Sequence, residues 1–126
     1  MVTPEPVKDE DASHPIARAW RPTLRAIVTA FASGDYRLAR PILNVEPISD
    51  ELATQIASYI ADYGCTLVDL PEEAWDTSCA QWMGTQWDAL IDLWTKEEAP
   101  SDLVLHVKVE ERASQFHFTV HLVYVP

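Results

Sequence analysis

The spacing of apolar residues changes at Gly64, and that change divides the chain. Before it, Ile16, Trp20, Leu24, Ile27, Val28 and Phe31 recur mostly three or four residues apart, which predicts an amphipathic helix over 16–33. Pro22 either opens the main segment of that helix or kinks it. Gly34 suits a left-handed cap, Asp35 can cap a short turn over 36–40, and Pro41 closes it. A second helix is marked at both ends, by Ser49 or Asp50 as N-cap with Glu51 in the first turn, and by Gly64 as the residue beyond its last turn. Leu52, Ile56, Tyr59, Ile60 and Tyr63 form its apolar face.

After Gly64 the period becomes two, as expected of strands half-buried in a sheet. CTLVDL is a short strand candidate and PEEAWDTS an acidic connection. In WMGTQW, Gly84-Thr85 fits a two-residue type II′ turn that pairs Trp82 with Trp87. Along the next strand Trp87, Ala89, Ile91 and Leu93 fall on the core side, and Asp88, Leu90, Asp92 and Trp94 on the outer side. A last hairpin turning at Ala113-Ser114 puts Leu103, Leu105, Val107 and Val109 inward, with Phe116, Phe118, Val120, Leu122 and Tyr124. It sends Val104, His106, Lys108, Glu110, His117, Thr119, His121 and Val123 outward, and sets His106 opposite His121, Lys108 opposite Thr119 and Glu110 opposite His117. The expected fold class is α+β, with two main helices on one face of a four- or five-stranded antiparallel meander able to curve around them.

The length of 126 residues and 48% hydrophobic content suit a single domain. Residues 1–14 are polar, charged and proline-containing, so they read as a flexible acidic tail before an α+β domain over 15–126. The net charge of −11 would repel phosphate backbones and anionic lipid, so neither nucleic acid nor membrane is an expected partner. The charge is also divided. Arg18, Arg21, Arg25, Arg37 and Arg40 face only Asp35 within 18–40, while fifteen acids outnumber Lys96, Lys108 and Arg112 over 41–126. A basic protein would be steered to that acidic part. The first residues resemble no secretory leader, and Cys65 and Cys79 make neither a disulfide framework nor a metal-ligand pair, so a reducing cytoplasm is the expected location.

His106, His117 and His121, with Asp88 and Asp92 on the same predicted face, are the one set that could offer imidazole and carboxylate ligands to a zinc-like ion. Their spacing matches no metal motif; exposed or carboxylate-paired histidines on an outer sheet face account for it better, and no metal or other cofactor is assigned. Three glycines cannot build a phosphate loop, and no serine or cysteine has the context of a nucleophile, so no catalytic residue is assigned. Tryptophan says more. Trp20, Trp82 and Trp87 have core duties, whereas Trp94 adjoins Asp92 and the Lys96-Glu97-Glu98 loop, and Trp75 stands among Glu72, Glu73 and Asp76. An aromatic ringed by acids suits a basic protein partner, the ring anchoring and the acids steering.

From Trp82 onward, WMGTQWDALIDLWTKEEAPSDLVLHVKV with the ending HFTVHLVYVP resembles a family of small uncharacterised bacterial domains marked by a W-D-x-L-x-D-L-aromatic strand, an acidic loop and S-D-L. In size, acidity and lack of catalytic residues the chain is similar to cytoplasmic immunity proteins that neutralise antibacterial toxins. AIVTAFASGDYRLA, residues 26–39, resembles the helix–Gly-Asp–helix opening of ketosteroid-isomerase-like cone folds, which would imply a curved sheet around a pocket. These observations lead to one expectation, an acidic module that binds and neutralises a basic toxin or effector. It would use Asp88, Asp92, Trp94, Glu97 and Glu98, with Glu72, Glu73, Trp75 and Asp76. The alternative is a small-ligand protein or enzyme built on a cone-like pocket or the histidine face, and an exposed strand edge could also support a homodimer.

Overall fold

The computed structural model describes residues 4–126. A single 3₁₀ turn, Arg18–Trp20, leads into helix α1 (Arg21–Ala32). Pro22 therefore opens the α-helix and does not kink it: in the first turn its missing N–H is not needed, whereas in the interior of a helix running from residue 16 its ring would crowd the Arg18 carbonyl. Helix α2 (Asp50–Tyr63) has the ends its sequence calls for. Ser49 Oγ accepts a hydrogen bond from the Leu52 amide at 3.1 Å, and Gly64 takes φ 77°. Between the helices, the Asp35 carboxylate accepts from the Ala39 and Arg40 amides, which holds its pKa below the usual carboxylate value.

The acidic connection forms a second 3₁₀ turn, Glu72–Asp76, and is followed by β1 (Cys79–Trp82), β2 (Trp87–Asp92), β3 (Val104–Arg112) and β4 (Gln115–Tyr124). They make one antiparallel sheet in the order β1-β2-β3-β4, so the fold is α+β with a four-stranded meander. CTLVDL does not become a fifth strand. It contributes one bridge, Leu67 to Thr95, flanked by Val68 N–H to Trp94 O at 3.1 Å and Lys96 N–H to Thr66 O at 3.0 Å.

Trp82 faces Trp87 across the first hairpin, and Gly84 carries its turn at φ 91°. Trp87, Ala89, Ile91 and Leu93 are buried, as are Leu103, Leu105, Val107 and Val109, and they share one hydrophobic cluster with Leu24, Ile27, Val28 and Phe31 of α1 and Ala53, Ile56 and Ile60 of α2. The rings of Trp20 and Trp87 meet edge to face at 5.2 Å, joining the turn before α1 to the sheet.

Alternation fails in β4. Val107 pairs with Val120 but His106 pairs with Leu122, so His121 is an extra residue, a β-bulge. The register expected between His106 and His121 is therefore corrected, while Lys108 does face Thr119 and Glu110 does face His117. Past the bulge the faces exchange. Val123, expected outward, is 0% exposed, and Leu122 and Tyr124, expected inward, are only half-buried.

Of the expected flexible tail, residues 1–3 lie outside the described residues, and residues 4–14 run beside β1 with defined contacts. His14 exchanges backbone hydrogen bonds with Ala80 at 2.9 and 2.7 Å, and Trp87 Nε1 donates to the Val7 carbonyl at 2.9 Å. Gln81 donates to the Asp9 and Glu10 carbonyls, and Lys8 lies 5.2 Å from the centre of the Trp82 ring. Few of these side chains are apolar, and backbone pairing, hydrogen bonds from the Gln81 and Trp87 side chains and cation–π contacts of Lys8 do the docking instead. Among the described residues no helix is long and apolar enough to cross a membrane.

Candidate functional site

Because β2 alternates cleanly, the side chains that do not enter the core share the sheet's other face, and pairing registers them in rows. Gln81, Asp88, Lys108 and Thr119 form one row. Cys79, Leu90, His106 and Leu122 form the next, and Asp92, Val104 and Tyr124 a third. All are half-buried except Val104, which is buried, so this face is partly open along its length.

Its centre is polar and crowded. His106 Nε2 lies 3.3 Å from Asp88 Oδ1, with the two side chains 14% and 22% exposed. That is within ion-pair reach, but the alignment is not that of a hydrogen bond, and neither atom has another partner. The His121 ring packs edge to face on His106 at 4.7 Å. Slight burial, then the neighbouring His106 and Lys108, hold the His121 imidazole below its ordinary pKa. His117 stands apart, opposite Glu110, so the three histidines do not converge. Among the described residues no group of three or more His, Cys, Asp or Glu is placed to hold a metal ion.

The acidic loop after β2 is partly engaged in holding itself together. Glu97 accepts from the Thr66 amide at 2.7 Å, and Glu98 accepts from the Tyr63 hydroxyl, which raises the pKa of that phenol. Thr95 and Glu98 close the loop through Thr95 Oγ1, and Ser101 ties it to the Leu93 carbonyl at 2.7 Å. Both glutamates remain exposed. Trp94 is half-buried against the core cluster, with its Nε1 buried and unpartnered, so it sits in the surface rather than standing out from it.

The second expected group lies elsewhere. Glu72, Glu73 and Asp76 are exposed on the 3₁₀ turn before β1, and Glu72 pairs with Arg25 at 3.1 Å. Trp75 corrects the expectation of a surface anchor: it is 4% exposed, with the Arg21 guanidinium 5.4 Å from its ring centre. In so short a 3₁₀ helix packed against the core only part of the circumference can face solvent, and the acids take it. Sequence reasoning also missed Leu122 and Tyr124 as part of the open face, and nothing in HFTVHLVY marks where its alternation breaks.

A model of the domain of unknown function DUF7668 matches residues 28–126. The chain belongs to that family. All of β1 to β4 and the acidic loop fall inside the matched segment, whereas residues 4–14 and the opening of α1 precede it. No curated protein and no solved structure matches the chain.

Among the described residues, four of the cavities, of about 410 to 550 Å³, are lined by residues of the helices and connections, with no residue of β1 to β4 in their walls. They differ in this from the pocket implied by a cone fold, which the sheet itself would line.

Proposed function

We propose that this DUF7668 chain is an acidic protein-binding module that uses the open face of its sheet and the adjoining loop to engage a basic protein, in its most concrete form an immunity-type inhibitor of a toxin or effector. The observation that carries the reading is the placement of Asp88 and Asp92 on one partly open face, with the half-buried Trp94 and the exposed Glu97 and Glu98 following in the chain. An antiparallel sheet whose second face is partly open offers a broad, rigid platform. The net charge of −11 supplies long-range steering toward a cationic partner. Trp94 contributes apolar area at the centre and the loop acids form a polar rim. Glu72, Glu73 and Asp76 belong to the steering field.

The test is capture of a partner from the source cell by wild-type protein and by an Asp88→Asn/Asp92→Asn variant, followed by calorimetry with the purified partner. The expected result is a basic protein bound by wild type, with affinity falling as salt rises and weakened in the variant by ~2 kcal/mol or more. Expression of that partner alone should arrest growth, and co-expression of this chain should restore it. A partner bound equally well by the variant would remove the open face from the function, and growth unaffected by the partner would remove the immunity role.

A further inference from the structure

The opening of α1 carries a feature opposite in sign to the rest of the molecule. Arg18, Arg21 and Arg25 recur at three- and four-residue spacing, and with Pro22 and Glu72 they line a cavity of about 550 Å³. Three guanidinium groups thus face one carboxylate in a protein whose net charge is −11. Such a concentration of like charge costs stability unless something offsets it, and Glu72 offsets only one of the three.

The guanidinium groups are partly pre-set. Arg21 Nε and Nη2 donate to the Ile16 carbonyl at 3.3 and 3.0 Å, and its guanidinium carbon lies 5.4 Å from the centre of the Trp75 ring, which restrains the side chain. Arg25 Nη2 donates to Glu72 at 3.1 Å, while Arg25 Nε has no solvent exposure and no hydrogen-bond partner. The Arg25 side chain as a whole is 40% exposed, so an incoming acceptor can approach it from the cavity. Arg18 is exposed and has no ion-pair partner among the described residues. The first turn of α1 also has no acidic residue to offset these arginines.

We propose that this cavity is a binding site for the phosphate group of a small soluble ligand. Guanidinium forks match the tetrahedral oxygens of phosphate and accept its double charge, which a single carboxylate ligand would not balance. The cavity has the size of small-molecule sites. The surrounding negative field disfavours nucleic acid and anionic membranes, whose many further charges would lie over the acidic surface. The assignment does not depend on the open face of the sheet.

Isothermal calorimetry with pyrophosphate and with inorganic phosphate, at constant ionic strength set by chloride, tests the site. The expected result is saturable one-to-one binding, tighter for pyrophosphate. Arg25→Gln and Arg18→Gln should each weaken it roughly tenfold, the loss of a charge-assisted hydrogen bond. Glu72→Gln should tighten it several-fold, because the competing carboxylate is gone; a merely structural ion pair would not produce that gain. Absence of saturable binding at millimolar anion, equal binding by the arginine variants, or no gain in Glu72→Gln overturns the proposal. Tighter binding of a short RNA or of anionic vesicles than of pyrophosphate overturns the small-ligand assignment.

Discussion

The two hairpins of the sheet begin from the same kind of sequence and end differently. In the β1–β2 hairpin the turn residue Gly84 takes its left-handed conformation without a Cβ, and from Trp82↔Trp87 onward the pairing stays in step. In the β3–β4 hairpin the turn is made by Ala113 and Ser114 at φ 48° and 67°, conformations that L-residues enter at a cost, and the register slips by one at His121. The first hairpin is specified by its local chemistry. The second is held by pairing over longer strands, nine residues in β3 and ten in β4, which override the turn and absorb the extra residue.

The strongest way to break that contrast is at the bulge. Val123→Asp should destabilise the protein by about 4 kcal/mol or more, because a buried carboxylate there has no partner, whereas Leu122→Asp on the half-buried face should cost about 1 kcal/mol. Chemical denaturation of both variants checks it, and a larger loss for Leu122→Asp would restore unbroken alternation. Next comes β2, where alternation holds: Ile91→Ala should cost ~2–5 kcal/mol through lost burial and a residual cavity, against a few tenths for Asp92→Asn. Equal losses would show that the two faces of this strand are not distinct.

The turns offer smaller effects of opposite sign. Gly84→Ala should destabilise by about 1–2 kcal/mol, since its Cβ would sit at φ 91° and 3.1 Å from the Glu10 carboxylate. Ala113→Asn with Ser114→Gly should stabilise by about 1 kcal/mol, because Asn-Gly favours two successive left-handed residues. Thermal unfolding of the two variants side by side would show whether the turns differ as their geometry implies. The smallest effect concerns pH. The His121 pKa is lowered in the folded state, so the folded protein binds fewer protons than the unfolded chain, and this contribution is present above the unfolded value and lost as pH falls below it. Replacing His121 by Gln should flatten the decline in stability below about pH 6.5. An unchanged profile would show that the bulged imidazole is free of its neighbours.

Much of the architecture was legible because each signal was short-ranged. Ser49 and Gly64 bound α2, Gly84 fixes the first hairpin, and the alternation of WDALID separates core from open face, whereas Pro22 left open whether it starts or kinks α1. Of the residues proposed for the site, alternation placed Asp88 and Asp92 on one face, yet it could not say that Trp94 would pack against the core or that Trp75 would lie under Arg21. The second group of acids was visible only as composition, and its pairing with Arg25 spans 47 residues.

By itself, then, the sequence determined the order and type of the main elements, the acidic character, and the faces of β2 and β3, since propensity, capping and alternation act between residues a few positions apart. Tertiary structure decided the bulge at His121, the docking of residues 4–14 beside β1, and the meeting of Arg18, Arg21 and Arg25 with Glu72. Each of these depends on contacts between residues far apart in the chain. Their energies come from pairing complete strands and closing one core, and no local pattern records that sum.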